Sequence, residues 1–304
     1  MAEIESVVPG RRSARRPGRW LALGTVALAL AVAPAGAARA AGNAEIRIGL
    51  MHFDYSERDP AGAFLDGEKG FVPAIVGEAE LRGDLLFGRA LGRFAKGTVS
   101  YDGHVQAVDP TTGLPDPTLD GLPIQTDSDA SFAQAELQGG VLVGGAKQVA
   151  LFGAVGLRRW NRDILNGTVV SRTGVPTTIS GLSEVYTWWE VQAGARWTFL
   201  ARPGTSWDVD ARLVRTVSPE ISVDLTPFVG VPTKTTLSLG ATNGWRVGST
   251  FRRDLNPHGL FISVNAYAEG YSFAASAVDP TFGIFEPDSS TVNLGLEVGV
   301  GGRF

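Results

Sequence analysis

The stretch STVNLGLEVGVGGRF, residues 290–304, alternates strictly between two kinds of side chain. From Val292 onward its even positions are aliphatic or glycine and end on the aromatic Phe304, while its odd positions are polar, charged or glycine. A period of two is the pattern of a β-strand whose two faces meet different surroundings. The stretch therefore predicts a strand with one apolar face, and a soluble β-sandwich rarely closes on such a strand.

The same stretch resembles the closing strand of bacterial outer-membrane β-barrel proteins. In that family, a terminal Phe preceded by apolar residues at alternate positions is the signal read by the barrel-assembly machinery. The resemblance implies that Phe304 is the assembly signal and that this machinery is a partner of the chain. It also implies a small barrel of the eight- to ten-stranded class in the cell outer membrane.

Residues 1–40 are predicted to be a cleaved signal peptide, and residues 41–304 a single barrel domain. Five arginines between Arg11 and Arg19 precede an apolar stretch, and Ala38-Arg39-Ala40 offers small residues for cleavage. A signal anchor is the alternative, but the apolar stretch is shorter than the roughly 20 residues that a spanning helix needs. Export through this leader would place the barrel beyond the inner membrane.

Composition excludes several kinds of function. The 304 residues contain no cysteine, so disulfides and thiolate metal sites are excluded. The net charge is −4, and no basic stripe follows the leader, so nucleic acid is not an expected partner. No cofactor is expected either, because no glycine-rich phosphate loop is present.

After residue 44, apolar-alternating runs are separated by turn-rich segments that are alternately long and short. The predicted strands are 44–57, 74–82, 86–104, 128–143, 148–162, 183–199, 205–216, 235–253, 260–276 and 290–304. The long connections are 58–73, 105–127, 163–182, 217–234 and 277–289. An even strand number with loops sorted by length is typical of outer-membrane barrels, whose short turns are periplasmic. The sequence thus predicts an all-β, ten-stranded antiparallel transmembrane β-barrel with long extracellular loops.

The inward faces of these strands carry charges of both signs. The inward set consists of Glu78, Glu80, Lys96, Glu136, Arg158, Glu190, Arg196, Asp208, Asp210, Arg212, Arg246, Arg252, Glu269, Glu297 and Arg303, together with Arg47, Arg82 and Asp102. Barrels of about 8 strands are only wide enough for side chains to fill, and a buried ion left alone costs several kcal/mol. We therefore predict a lumen closed by ion pairs, with bidentate arginine contacts to Glu190, Glu269 or Glu297.

One strand fits this scheme poorly. Its predicted register places Arg89 and Arg93 on the lipid face beside Leu91, where a cation would cost about 2–4 kcal/mol. A longer turn or a β-bulge is expected to change the register of this strand. The residues predicted for an aromatic belt near the periplasmic strand ends are Phe87, Trp197, Phe199, Trp207, Phe251 and Phe304.

Few residues suit catalysis or metal binding. His52 and His104 lie near Asp54 and Asp102, and a histidine with a carboxylate is the usual general-base pair. The chain resembles the omptin proteases in size and strand number, but it has no matching paired motif, and the His-x-Ser pattern of outer-membrane lipid deacylases is missing. The segment 105–127 is rich in aspartate, but its spacing matches no calcium loop, so a solvated acidic loop is expected.

The leading functional hypothesis is a non-enzymatic barrel with an envelope-structural or surface-binding role. Its expected partners are outer-membrane lipid, lipopolysaccharide and an unidentified surface ligand. Arg159 and Arg215 are predicted to face outward near the extracellular strand ends, where lipopolysaccharide phosphates would be close. A narrow channel or transporter for small solutes and a rim hydrolase are the alternatives.

Overall fold

The computed structural model describes residues 41–106, 116–144 and 148–304, and the predicted signal peptide lies outside this part of the chain. The strands are β1 (Ala41–Arg58), β2 (Phe64–Arg82), β3 (Leu86–His104), β4 (Pro123–Val143), β5 (Val149–Ile164), β6 (Gly167–Val170), β7 (Pro176–Ile179), β8 (Ser183–Arg202), β9 (Thr205–Asp224), β10 (Lys234–Ser238), β11 (Asn243–Asp254), β12 (Leu260–Phe273) and β13 (Asp288–Arg303). A helical turn, α1 (Thr226–Val229), lies between β9 and β10. Within the described residues, no helix is long and apolar enough to cross a membrane.

Ten long strands form a closed antiparallel barrel, which confirms the predicted fold. Their order is β1-β2-β3-β4-β5-β8-β9-β11-β12-β13, and β13 pairs with β1 to close the ring. The short strands β6 and β7 form a separate hairpin, and β10 pairs with the far end of β9. Ser218, with a φ of 47°, lies where β9 exchanges β11 for β10 as its partner.

The connections are sorted between the two ends of the barrel. The chain end at Phe304 and the short turns at 83–85, 203–204 and 255–259 lie at one end, here called the turn end. The segments 116–122, 165–182, 225–233 and 274–287 lie at the other, the loop end.

The first connection at the loop end is shorter than predicted. Strand β2 begins at Phe64, so residues 59–63 alone join it to β1, and the prediction of a long loop at 58–73 is wrong. Asp66 and Glu68, which fall within that predicted loop, instead point into the barrel and bind an arginine.

The register of β3 also differs from the prediction. Arg89 and Arg93 face the lumen, whereas Lys96 and Asp102 lie exposed on the outer wall, so the inward placement of Lys96 and Asp102 was wrong. The pairing of Arg82 with Phe87 across the turn sets this parity. It is the favourable one, because the two arginines find carboxylate partners inside instead of facing an apolar surrounding.

The outer wall carries a broad band of exposed apolar side chains. Its members include Ile46, Ile48, Leu50, Phe71, Ile75, Phe94, Leu137, Val155, Trp189, Val191, Leu213, Val247, Val264, Leu294, Leu296 and Val298. Trp197, Phe199, Trp207 and Phe304 are exposed toward the turn end, as expected for an aromatic belt. Phe87 departs from the prediction, because it is buried inside with the Arg196 guanidinium 5.0 Å from its ring centre.

The ladder between β2 and β3 is interrupted at one place. Paired residues stop at Lys69–Ser100 and resume at Ala74–Ala95. Pro73 lies in this interval and has no amide hydrogen to donate. Gly70 lies there too, and a Cβ at that position would be 2.9 Å from a methyl of Val99, so a larger residue would require Val99 to shift.

Candidate functional site

The half of the lumen toward the turn end is filled by charged side chains, here called the charged layer. Period-two alternation brings them inward while their chain neighbours form the apolar outer wall. The members of the charged layer are Glu45, Arg47, Glu78, Glu80, Arg89, Arg93, Glu136, Arg158, Glu190, Arg196, Asp208, Asp210, Arg212, Arg246, Arg252, Glu269 and Glu297. Acids and arginines are present in nearly equal numbers, so the layer is close to neutral.

Glu78 is one hub of the charged layer. Its carboxylate accepts from Arg47 at 2.8 Å and from Arg89 at 2.5 Å, and Arg252 lies 3.3 Å away. Arg47 also donates to Glu297 at 2.9 Å and pairs with Glu45. Four strands, β1, β2, β3 and β11, are therefore tied across the lumen by one carboxylate.

Glu269 is the second hub. Arg158 donates to both of its oxygens, at 2.8 and 2.9 Å, and Arg246 donates at 3.0 Å. The Asn293 amide adds a bond at 3.1 Å, and the Arg158 Nε lies 2.9 Å from Glu190. The contact between Arg158 and Glu269 is a bidentate arginine contact of the kind expected from the sequence, and it spans the barrel from β5 to β12.

Most of the residues predicted for the lumen are brought together here, with four exceptions. Lys96 and Asp102 lie on the outer wall, Arg82 is the last residue of β2 at the turn end, and Arg303 is exposed at the turn end, where it pairs with Asp254 at 2.5 Å. The last residues of β13 pass beyond the charged layer to the rim, which is why Arg303 cannot join it.

Three members of the charged layer were missed. Arg89 and Arg93 were missed because the predicted register of β3 placed them on the lipid face. In the structure, Arg93 donates to Glu297 at 2.8 Å. Glu45 shares the inward face of Arg47, and its alternation with Ile46 in β1 was the signal that could have found it.

The lumen toward the loop end is filled by apolar and aromatic side chains, here called the aromatic layer. The ring members are Phe53, Tyr55, Phe132, Trp160, Tyr186, Trp188, Tyr271 and Phe273. Trp160 stacks on Tyr186 with 4.6 Å between ring centres, and Tyr55 meets Trp160 edge-on at 4.8 Å. Where the two layers meet, near Met51 and Arg158, a cavity of about 20 Å³ remains, enough for about one water molecule.

Above the aromatic layer, one buried arginine is surrounded by carboxylates in what we call the Arg162 cluster. Arg162 donates to Glu57 at 2.9 Å, Asp66 at 3.0 Å, Glu68 at 2.8 Å and Glu184 at 2.8 Å. All five side chains are buried. In contrast to the charged layer, this cluster holds a surplus of acids.

Comparisons with known proteins show which solved structures share this architecture. The sequence matches no protein-family model and no curated protein. Among solved structures, the outer-membrane protease OmpT from Escherichia coli is similar, with a TM-score of 0.55 and 12% identity over 87% of this chain and 97% of that chain. The chain has the fold of a bacterial outer-membrane β-barrel.

Two other small barrels are more distant. Neisserial surface protein A gives a TM-score of 0.34 at 11% identity, over 86% of this chain and 97% of that chain. Ail, the attachment invasion locus protein of Yersinia pestis, gives 0.29 at 12% identity, over 86% of this chain and 99% of that chain.

The histidines of the barrel are not assembled into one site. His52 lies on β1 with its ring edge-on to Phe71 at 5.0 Å, and the Nδ1 of His104, on β3, lies 3.0 Å from the Leu65 carbonyl. Strand β2 lies between them. In the part of the chain that the structure describes, no group of three or more acidic or histidine side chains is placed to hold a metal ion.

The predicted surface contacts of the barrel lie on the outer wall. Arg159 and Arg215 are exposed on the outer wall and donate to Asn161 at 3.0 Å and Asn243 at 3.1 Å. Phe304 is 67% exposed at the turn end, and its backbone exchanges two hydrogen bonds with Gly42.

Proposed function

We propose that this protein is a closed, non-enzymatic barrel of the bacterial outer membrane that holds its loops at the cell surface. The observation that carries the proposal is the filled lumen, in which the charged layer and the aromatic layer are stacked along the barrel axis. The turn end would face the periplasm and the loop end the exterior, as in barrels of this class.

The distribution of charge supports a closed barrel over a channel. A selective pore usually carries a surplus of one sign along its wall, where ions must bind and leave. Here Glu78 and Glu269 are each bound by more than one arginine, and their bonds cross the lumen instead of leaving its centre open. An ion entering this half of the barrel would have to break buried ion pairs.

Recordings from planar bilayers test the closed lumen. We expect the folded protein to give no steady conductance steps at neutral pH, because the two layers leave no continuous aqueous path. A general porin inserted into the same bilayers provides the positive control. Regular steps on the order of a nanosiemens, typical of an open pore of many strands, would contradict the proposal and favour the channel alternative.

The positions of the histidines support the absence of catalysis. A histidine that acts as a general base is commonly oriented by a carboxylate within hydrogen-bond reach. His52 instead faces outward against Phe71, and His104 contacts a backbone carbonyl. In the described part of the acidic segment, residues 116–127, Asp116 accepts a local hydrogen bond of 2.7 Å from the Thr118 amide.

The loop end offers the surface that we propose for an unidentified ligand. The turn around α1 exposes Phe228, Val229 and Val231, and the 274–287 loop exposes Val278 and Phe285. Exposed apolar patches of this kind often mark interaction sites. At the other end, exposed Phe304 is available to the barrel-assembly machinery, in keeping with its proposed role as an assembly signal.

Lipopolysaccharide is the proposed partner of Arg159 and Arg215. Guanidinium groups bind phosphate through paired hydrogen bonds, and both side chains lie beside the apolar band, where the phosphates of the outer leaflet would be found. We expect the double variant Arg159→Gln with Arg215→Gln to retain severalfold less lipopolysaccharide after detergent extraction, measured by phosphate analysis. Arg253→Gln, an exposed arginine near the turn end, is the matched control. Equal retention by all three proteins would count against this contact.

A further inference from the structure

The Arg162 cluster continues upward into the loop 274–287 through one more buried acid, Glu286. Its Oε1 accepts a hydrogen bond from Tyr186 at 2.6 Å and lies 3.4 Å from the Tyr55 hydroxyl. The two phenols are 3.2 Å apart, and Tyr55 also donates to Glu57 at 2.6 Å. Glu286 is thus a polar attachment of this loop to the barrel interior, next to the apolar contact of Ile284 with the aromatic layer.

The surroundings of Glu286 are rich in acids and poor in cations. Strand β1 contributes Tyr55 and Glu57, β2 contributes Asp66 and Glu68, and β3 contributes Tyr101. Strand β8 contributes Glu184 and Tyr186, and β5 contributes the one cation of the group, Arg162. The four carboxylates on Arg162 already occupy its guanidinium, so Glu286 has only neutral phenols as donors.

A second feature of the group also indicates a shortage of donors. The Oε2 of Glu68 is buried and has no hydrogen-bond partner in the described structure. Two ionised carboxylates that share a buried site repel each other, which favours the protonated form of one of them. Five ionised acids around one arginine would therefore be unstable, and at least one must carry a proton.

We propose that Glu286 fastens the 274–287 loop to the barrel as a neutral carboxylic acid, and that loss of its proton releases the loop. Geometry selects Glu286 for this role because the other four acids each bind Arg162 directly. It is also the member of the group that lies on a connection instead of a barrel strand, so it can move away without opening the barrel wall. The proposal does not depend on whether the lumen conducts.

Electrostatics sets the direction of the pH dependence. Burial, and next the Glu184 carboxylate, raise the pKa of Glu286 from its ordinary 4.5 to about 8 in the docked loop. A raised pKa means that the contribution of Glu286 to docking is complete below about pH 4.5 and is lost as the pH rises to about 8. Between these values, the docking equilibrium should weaken by up to about tenfold per pH unit.

Chymotrypsin cleavage after Phe285 measures release, because this bond is flanked by the buried Glu286 and Pro287 when the loop is docked. Each rate is divided by that of a synthetic peptide of residues 276–288 at the same pH, which removes the pH dependence of the protease. We expect the normalised rate of the native protein to rise at least tenfold from pH 6 to pH 9. Glu286→Gln, which stays neutral, should remain slow throughout, and Glu220→Gln, an exposed acid on β9, should behave like the native protein.

A second variant tests the titration itself. The hydroxyl of Tyr186 favours the charged form of Glu286, so Tyr186→Phe should move the midpoint of release to higher pH. This shift is measurable even if Glu286→Gln does not assemble, and a purely structural role for Glu286 would not produce it. A flat native profile between pH 6 and 9, or a parallel rise in Glu286→Gln, would overturn the proposal.

Discussion

Arg162→Met should destabilise the folded barrel by about 3–5 kcal/mol, which is the cost of breaking a buried ion pair by removing one partner. Methionine fills a similar volume but leaves Glu57, Asp66, Glu68 and Glu184 without their shared cation. Urea unfolding from lipid vesicles, followed by tryptophan fluorescence, measures the change. The loss of unfolding free energy should be smaller at acidic pH, because protonation removes the charge of the four carboxylates that have lost their cation.

Arg159→Met is the matched control for this variant. Arg159 lies on the same strand but faces outward and is exposed, so its replacement should change the free energy of unfolding by no more than about 0.5 kcal/mol. Similar losses in the two variants would mean that the Arg162 cluster contributes nothing specific to stability.

Glu269→Ala should have an effect of similar size in the charged layer. The substitution leaves Arg158 and Arg246 inside the lumen without their main partner, and an uncompensated buried charge costs about 3–5 kcal/mol. The variant should unfold at a lower temperature than the native protein, seen as earlier loss of the fast-migrating folded band on unboiled gels. Glu220→Ala removes an exposed acid and should leave this temperature unchanged; if Glu269→Ala does the same, the network is not a source of stability.

The fold was predictable because the residues of a barrel strand alternate between an apolar outer face and a more polar inner face. In β8, Trp189 and Val191 face outward while Trp188 and Glu190 are buried, and the sequence placed Glu190 on the inward face. The closing strand β13 is similar, since Leu294 and Leu296 form the outer wall on either side of Gly295. Period-two patterning is a strong signal wherever one face is uniformly apolar.

The errors arose where that signal is weak. Strand β3 carries Arg89, Arg93 and Lys96, so cations occupy both parities and composition does not reveal which face is inward. The turn between β2 and β3 sets the inward face of β3 through the Arg82–Phe87 pair. A shift of one residue in this register would move every side chain of β3 to the opposite face. At the start of β2, the inward faces are acidic, so a strand resembled a loop.

The Arg162 cluster could not be predicted from the sequence for a different reason. Its members come from β1, β2, β5 and β8, and Glu286 comes from a connection near the end of the chain. No spacing along the chain links them, because closure of the barrel alone brings these strands to one level. The sequence alone placed Asp66 and Glu68 in a predicted loop, whereas the structure shows four acids sharing one guanidinium.

The interrupted ladder at Pro73 determines how the barrel wall would yield to mechanical force. The seam between the first and last strands is paired without a break from Asn43–Arg303 to Arg58–Asp288. Between β2 and β3, no residues are paired around Pro73, so a force on this ladder acts on fewer paired residues. A sideways pull on the wall should therefore part β2 from β3 before it parts the seam, which makes the closure of the ring one of its stronger joints.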